Sequence, residues 1–148
     1  MTRRNKVLSI VLILVVATAS SLAFALSHNS PCGSAQPPPA GTALMKAIVY
    51  RCYGSPDVLK LEDIAKPAPK DDQMLVRVHA ASVNPLDWHY MRGEPYVMRA
   101  GAGMGAPDSI HMGVDFAGTV ESVGKNVTRF KPGDEVFGGR DGAFAEYV

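Results

Sequence analysis

The amino-acid sequence predicts a mainly β fold: a small barrel with short helical turns, preceded by an N-terminal hydrophobic helix and a linker. Three observations lead there. From residue 45 onward, apolar residues fall in short runs with strand periodicity. Glycine and proline punctuate those runs at close intervals. Almost nothing in that region sustains a helical period, and short antiparallel strands dispose of their open edges by closing into a barrel.

The first 44 residues differ in kind from the rest. Residues 1–6, "MTRRNK", carry three positive charges and no acid, and residues 7–26, "VLSIVLILVVATASSLAFAL", carry no charge at all. Residues 27–44, "SHNSPCGSAQPPPAGTAL", are small, polar and proline-rich, a linker composition that builds no core. Two fates fit the apolar run. "AFA" at 23–25 matches a small-x-small cleavage site, so residues 1–26 read as a signal peptide. Twenty uncharged residues in a helix also cross roughly 30 Å of hydrocarbon, so they read equally as a transmembrane anchor. A core helix would show a polar face, and this run has none. Arg3, Arg4 and Lys6 precede the run and no basic residue follows until Lys46, which keeps the N-terminus cytoplasmic and sends the remainder across the membrane. The chain is therefore expected to be membrane-anchored or exported through residues 7–26. Translation from Met45 would instead leave it cytoplasmic.

All 14 acids follow residue 44, against the remaining basic residues, so residues 45–148 give no electrostatic reason to expect nucleic acid. Cys32 sits in the linker and Cys52 in the first strand. Two cysteines are too few for a disulfide scaffold and lack the spacing of a zinc site. One bond between them would need export, and a mobile linker facing a packed Cys52 argues against it.

Along the domain, "MKAIVYR" at 45–51 alternates as a first strand, "GSP" at 54–56 turns the chain, and "VLKLEDI" at 58–64 is a second strand. After the proline-rich connection "KPAPKDDQ", "MLVRVHAASV" at 74–83 is a third, with Leu75 and Val76 entering it and Arg77 and His79 sharing a face. "NPLDWHYMRG" at 84–93 is a turn leading into a short helix, with Pro85 suited to its first position and Gly93 to its exit. Residues 94–111 form a long loop, 112–124 a further strand, "RFKPGDEVFGG" a Pro132–Gly133 turn into another, and "GAFAEYV" the last.

"GAGMGA" at 101–106 fits the relaxed dinucleotide pattern, with Glu121 about twenty residues on. That mechanism needs a strand before the glycines and a helix after them, because the helix N-terminus binds the pyrophosphate. Neither flank supplies one, so the run reads as a flexible loop. No two of His28, His79, His89 and His111 are spaced as ligand pairs on one element, and no C-x-x-C occurs, so no zinc is expected. "NVT" at 126–128 is a glycosylation sequon by pattern and a strand-connecting turn by ordinary use. Asp115, between Val114 and Phe116, stands in otherwise strand-like sequence, where a lone carboxylate is costly unless paired.

Four stretches together resemble the N-terminal catalytic domain of the medium-chain dehydrogenase/reductase superfamily, whose fold is GroES-like. They are "MKAIVYRCYGSPDVLKLEDI" followed by P-x-P, "VRVHAASVNPLDWHYMRG", "GVDFAGTVESVGKNVTRFKPGDEVFG" and "GAFAEYV", in the family's order over residues 45–148. Within the superfamily the sequence is most similar to the zinc-free quinone oxidoreductase branch. Zinc-dependent members carry a cysteine where this chain has "VNP", and G-H-E where it has Gly113-Val114-Asp115; Val114 cannot bind metal. The resemblance implies hydride transfer from NADPH or NADH to a quinone or other activated alkene. It places Asn84 beside the nicotinamide or the substrate carbonyl and Asp87 as organiser of the pocket. His89 stands where many relatives have tyrosine, with Tyr90 next to it, as candidate proton donors. It implies that Asp115 is paired at the cleft facing the cofactor domain. For Asn84, the bland reading is a helix cap.

In that family "GAFAEYV" continues into more barrel strands and a Rossmann domain. The chain is therefore expected to be a catalytic-domain fragment, truncated before the Rossmann domain and inactive alone. Its expected partner is a separate chain supplying the cofactor domain, or a homo-oligomer. Apolar surface should be exposed at its open edges. The alternative is a non-catalytic, membrane-tethered barrel acting as a binding module.

Overall fold

A computed structural model describes residues 2–148. Helix α1 (Arg3–Ser27) starts on a Thr2 cap, whose hydroxyl accepts the Asn5 N–H, and buries none of its side chains. Its 18-residue core has a mean hydropathy of 2.6. Within it the Ser9 and Thr18 hydroxyls donate to the carbonyls one turn back, so these two hydroxyls are satisfied inside the helix.

Strand β1 (Leu44–Val49) pairs antiparallel with β2 (Lys60–Ala65), in a register from Leu44 opposite Ala65 to Val49 opposite Lys60. The alternation seen in the sequence is the alternation of burial: Met45, Ala47 and Val49 face inward onto Ile64, Ile110 and Tyr147. Strand β3 (Met74–Ser82), β4 (Asp115–Val123) and β5 (Glu135–Gly139) form a second antiparallel sheet in that order. A register shift between Leu75 and Val76 lets both side chains turn inward.

The last residues join the two sheets. On one side the Ile48 N–H donates to the Phe144 carbonyl and the Glu146 N–H to the Lys46 carbonyl. On the other, the Val78 N–H donates to Glu146, and Val76 and Val148 exchange both of their bonds. "GAFAEYV" thus behaves as the strand expected of it, although its pairing is reduced to isolated bridges. The closed barrel does not form among the described residues. β2 and β5 lie at opposite ends of this arrangement and do not pair. An open groove of about 540 Å³ remains, lined by residues such as Met45, Leu75, Val76, Phe116 and Tyr147. Phe137 on β5 is 90% exposed, the open apolar edge that the sequence led us to expect.

Helix α2 (Pro85–Arg92) follows β3 directly, and Met91 carries it onto a second core cluster with Tyr50, Tyr53 and Met112. The 94–111 segment is not structureless: it contains a single 3-10 turn at Tyr96–Met98 and a four-residue helix, α3 (Arg99–Ala102). The linker also departs from expectation. Cys32 and Cys52 are disulfide-bonded, the Ser30 N–H donates to the Gly105 carbonyl, and Arg99 Nη1 donates to the His28 carbonyl. The composition of residues 27–44 suggested a free tether, but its first part is pinned at these three points.

Candidate active site

Asn84 has extended backbone and caps α2: its Oδ1 accepts the Leu86 N–H at 2.8 Å. Three residues on, Asp87 Oδ2 accepts the Asn84 N–H at 2.9 Å, which completes a reciprocal capping box. Gly93 ends the helix in the left-handed region at φ 63°, where a Cβ would also lie 2.6 Å from the Tyr53 ring. The capping reading of Asn84 is therefore realised in the structure.

The β3–β4 register sets Ser82 opposite Asp115. Ser82 Oγ donates to Asp115 Oδ2 at 3.2 Å, and Asn84 Nδ2 donates to the same oxygen at 2.7 Å. Asp115 sits at the exposed start of β4, paired by two side-chain donors, so it pays little of the burial cost that its sequence position suggested. The Asn84 amide is held at both ends, with its oxygen in the cap and one N–H on Asp115. Its second N–H is left for another acceptor.

Asp87 also lines a cavity of about 130 Å³, together with residues such as Tyr50, Tyr90, His111, Gly113 and Asp141. Asp87 is 3% exposed, and its Oδ1 has no hydrogen-bond partner. The cavity is large enough to admit water, and Asp87 forms part of its wall. Burial pushes the Tyr50 hydroxyl well above the usual phenol range, with Tyr53, Asp141 and Tyr90 adding to it. Tyr50 is thus a neutral donor throughout the physiological range. Loss of water on the inner side of His111 lowers its imidazole below the usual range, an effect that Asp141 opposes.

Of the four site residues read from the sequence, Asp87 and Tyr90 line the cavity, and Asn84 is hydrogen-bonded to Asp87 without lining it. His89 is directed elsewhere: its Nδ1 donates to the Glu94 carbonyl at 2.6 Å and its ring packs edge-on against Trp88. It does not line the cavity. Ser82, Tyr50, His111 and Asp141 were not anticipated. Ser82 could have been found from the strand spacing that sets it two residues before Asn84. Tyr50 and His111 come together through a β1–loop bridge at Val49 and His111, which no local pattern encodes. Among the described residues, no group of three or more His, Cys, Asp or Glu side chains is clustered to hold a metal ion. Val114, which also lines the cavity, offers no donor.

The nucleotide is a separate question of fit. In "GAGMGA" the first two residues end the four-residue α3, and Gly103 leaves it at φ 123°. Glu121 lies within β4 and is paired with Lys66. Nothing there sets a glycine turn at the head of a helix long enough to receive a pyrophosphate.

A family model described as "Alcohol dehydrogenase GroES-like domain" matches residues 70–148. The chain belongs to that family. Its relatives place it within the medium-chain dehydrogenase/reductase superfamily. It is 42% identical over 111 residues to the quinone oxidoreductase of Sus scrofa, a match covering 73% of this chain and 32% of the relative. It is 43% identical over 95 residues to the 2-methylene-furan-3-one reductase of Solanum lycopersicum, covering 64% and 23%. Among solved structures it matches the quinone oxidoreductase from Coxiella burnetii with a TM-score of 0.61 and 35% identity, covering 72% of this chain and 34% of that one. The GroES-like chain thus spans about a third of the length of the curated relatives it matches.

Proposed function

We propose that residues 45–148 form the substrate side of an NAD(P)H-dependent quinone or enone oxidoreductase. The supporting observation is the hydrogen-bonded run Ser82–Asp115–Asn84–Asp87, which ties the Asn84 amide to Asp87, a residue of the cavity wall. A nicotinamide cofactor, when bound, supplies the hydride. In this reading, the free N–H of Asn84 hydrogen-bonds the substrate carbonyl and stabilises the oxyanion that develops on it. Asp87 holds that amide in place through the cap. Tyr90 and Tyr50 offer hydroxyls within the cavity, and His89 acts only by closing the helix onto Glu94. The grip on the pyrophosphate comes from polypeptide outside these residues, whether a continuation of this chain or a partner. Residues 7–26 either anchor the domain in a membrane or direct its export, as their length and hydropathy allow.

The test is a pair of amide NMR titrations on the full chain in mild detergent. Tetramethyl-p-benzoquinone is expected to shift the amides of Asn84, Asp87 and Gly113, and NADPH to produce no saturable shift at residues 101–106. Saturable NADPH shifts at the glycine run would transfer the nucleotide site to it. Quinone shifts confined to other surfaces would favour a non-catalytic binding module.

A further inference from the structure

We infer that the loop 95–107 is a membrane-contact surface, seated in the interfacial layer of the same bilayer that receives α1. The inference rests on the anchored reading of α1 and adds a second point of contact, made by the folded domain itself. The loop reads "PYVMRAGAGMGAP", and its one charged residue is Arg99. That charge is turned inward. Arg99 is 2% exposed, its Nε, Nη1 and Nη2 donate to the Gly93, His28 and Arg92 carbonyls, and its guanidinium stacks on the Tyr53 and Tyr96 rings. The outer surface of the loop is therefore uncharged over its whole length. It instead shows water Val97, 70% exposed, Met104, 50% exposed, and Tyr96, 44% exposed.

The occupant of this surface follows from its place in the chain. His28 is the residue that caps the C-terminal end of α1, and its carbonyl receives Arg99 at 3.1 Å. Two residues later, the Ser30 N–H bonds the Gly105 carbonyl, at a position where a Cβ would come within 2.6 Å of Ser30 Oγ. The Cys32–Cys52 bond then fastens the same segment to the end of β1. α1 itself touches the Tyr96–Met98 turn. The exposed apolar loop is thus held one hydrogen bond away from the helix end, and wherever that end leaves the hydrocarbon, the loop lies beside it. Tyrosine with an apolar body and a polar tip, flanked by aliphatic side chains, is the chemistry of the headgroup boundary.

The experiment reconstitutes the full chain in phosphatidylcholine vesicles whose acyl chains carry bromine either near the headgroup or near the bilayer centre. Tryptophan is relocated by Trp88→Phe combined with Val97→Trp, and separately combined with Leu14→Trp. Met104→Trp reads the same loop should Val97→Trp not fold. Headgroup-proximal bromine is expected to quench the reporter in the loop by about twofold or more, and centre-proximal bromine to quench the reporter at residue 14. Quenching at residue 14 with none in the loop, where aqueous iodide then quenches freely, overturns the contact surface and leaves the anchor standing. Quenching at neither position overturns both.

Discussion

Two charged residues sit in apolar sequence, Asp115 at the start of β4 and Arg99 in the 95–107 loop, and the fold treats them in opposite ways. Asp115 is exposed and is held by the Ser82 and Asn84 side chains. Arg99 is fully buried and is held by three backbone carbonyls and two tyrosine rings, with no carboxylate partner. A carboxylate at a strand end can be satisfied by neighbouring side chains and keep access to a ligand. A guanidinium, with its fork of fixed donors, can instead gather carbonyls that no helix or strand would satisfy. The acid marks the candidate site, whereas the arginine fastens the segment after α1 to the domain.

The largest effect that breaks this contrast is expected at Arg99. Arg99→Met leaves the Gly93, His28 and Arg92 carbonyls without their donor and should cost about 3 to 4 kcal/mol in chemical denaturation. Lysine at the same position should recover little, because it cannot fork to three carbonyls. Next comes the covalent part of the same fastening. Cys32→Ser, or reduction of the bond across its 20-residue separation, should cost about 3 kcal/mol. Hydrogen exchange should then rise in residues 28–34 more than in β3–β5.

At the acid end, changes should be small for stability and large for ligand. Asn84→Ala removes a cap and should cost about 1 kcal/mol, seen as a modest lowering of the melting temperature. Asp115→Asn, at an exposed position, should change stability by about 0.5 kcal/mol or less. Both should abolish the quinone-induced amide shift at Gly113 that is expected of the unaltered chain. Equal destabilisation by Asp115→Asn and Arg99→Met would erase the distinction drawn between them.

The smallest effect is a pH dependence. Folded His111 resists a proton that the unfolded chain accepts near the usual imidazole value of about 6.5. Stability should therefore be unaffected above that range and fall as the pH drops through it. Asp141 opposes the lowering, so Asp141→Asn should move the His111 midpoint still lower in an NMR titration.

Much of the acid end was legible from local pattern. The strand periods, Pro85 after Asn84 and Gly93 at the exit all lie within a few residues of one another, and the capping box is a three-residue spacing. His89 lies off the cavity because a residue between Asp87 and Tyr90 in sequence leaves the helix on a different face. The arginine end was not legible, because carbonyls and ring faces have no sequence signature and His28 is 71 residues from Arg99. The disulfide was missed for a related reason: composition suggested a mobile linker, and what immobilises it is the loop at 99–105. The barrel expectation assumed that the outer strands would meet, whereas closure ends at the 144–148 segment.

Whether these residues are the substrate half of a hydride-transfer site is decided by a chimera. The chain through Val148 is joined to the nucleotide-binding part of the Sus scrofa quinone oxidoreductase, and NADPH oxidation by tetramethyl-p-benzoquinone is followed. The chimera should turn over, and Asn84→Ala should lower kcat by about 100-fold while leaving NADPH affinity unchanged. A folded chimera that binds NADPH but never reduces the quinone, or one indifferent to Asn84→Ala, would contradict the claim.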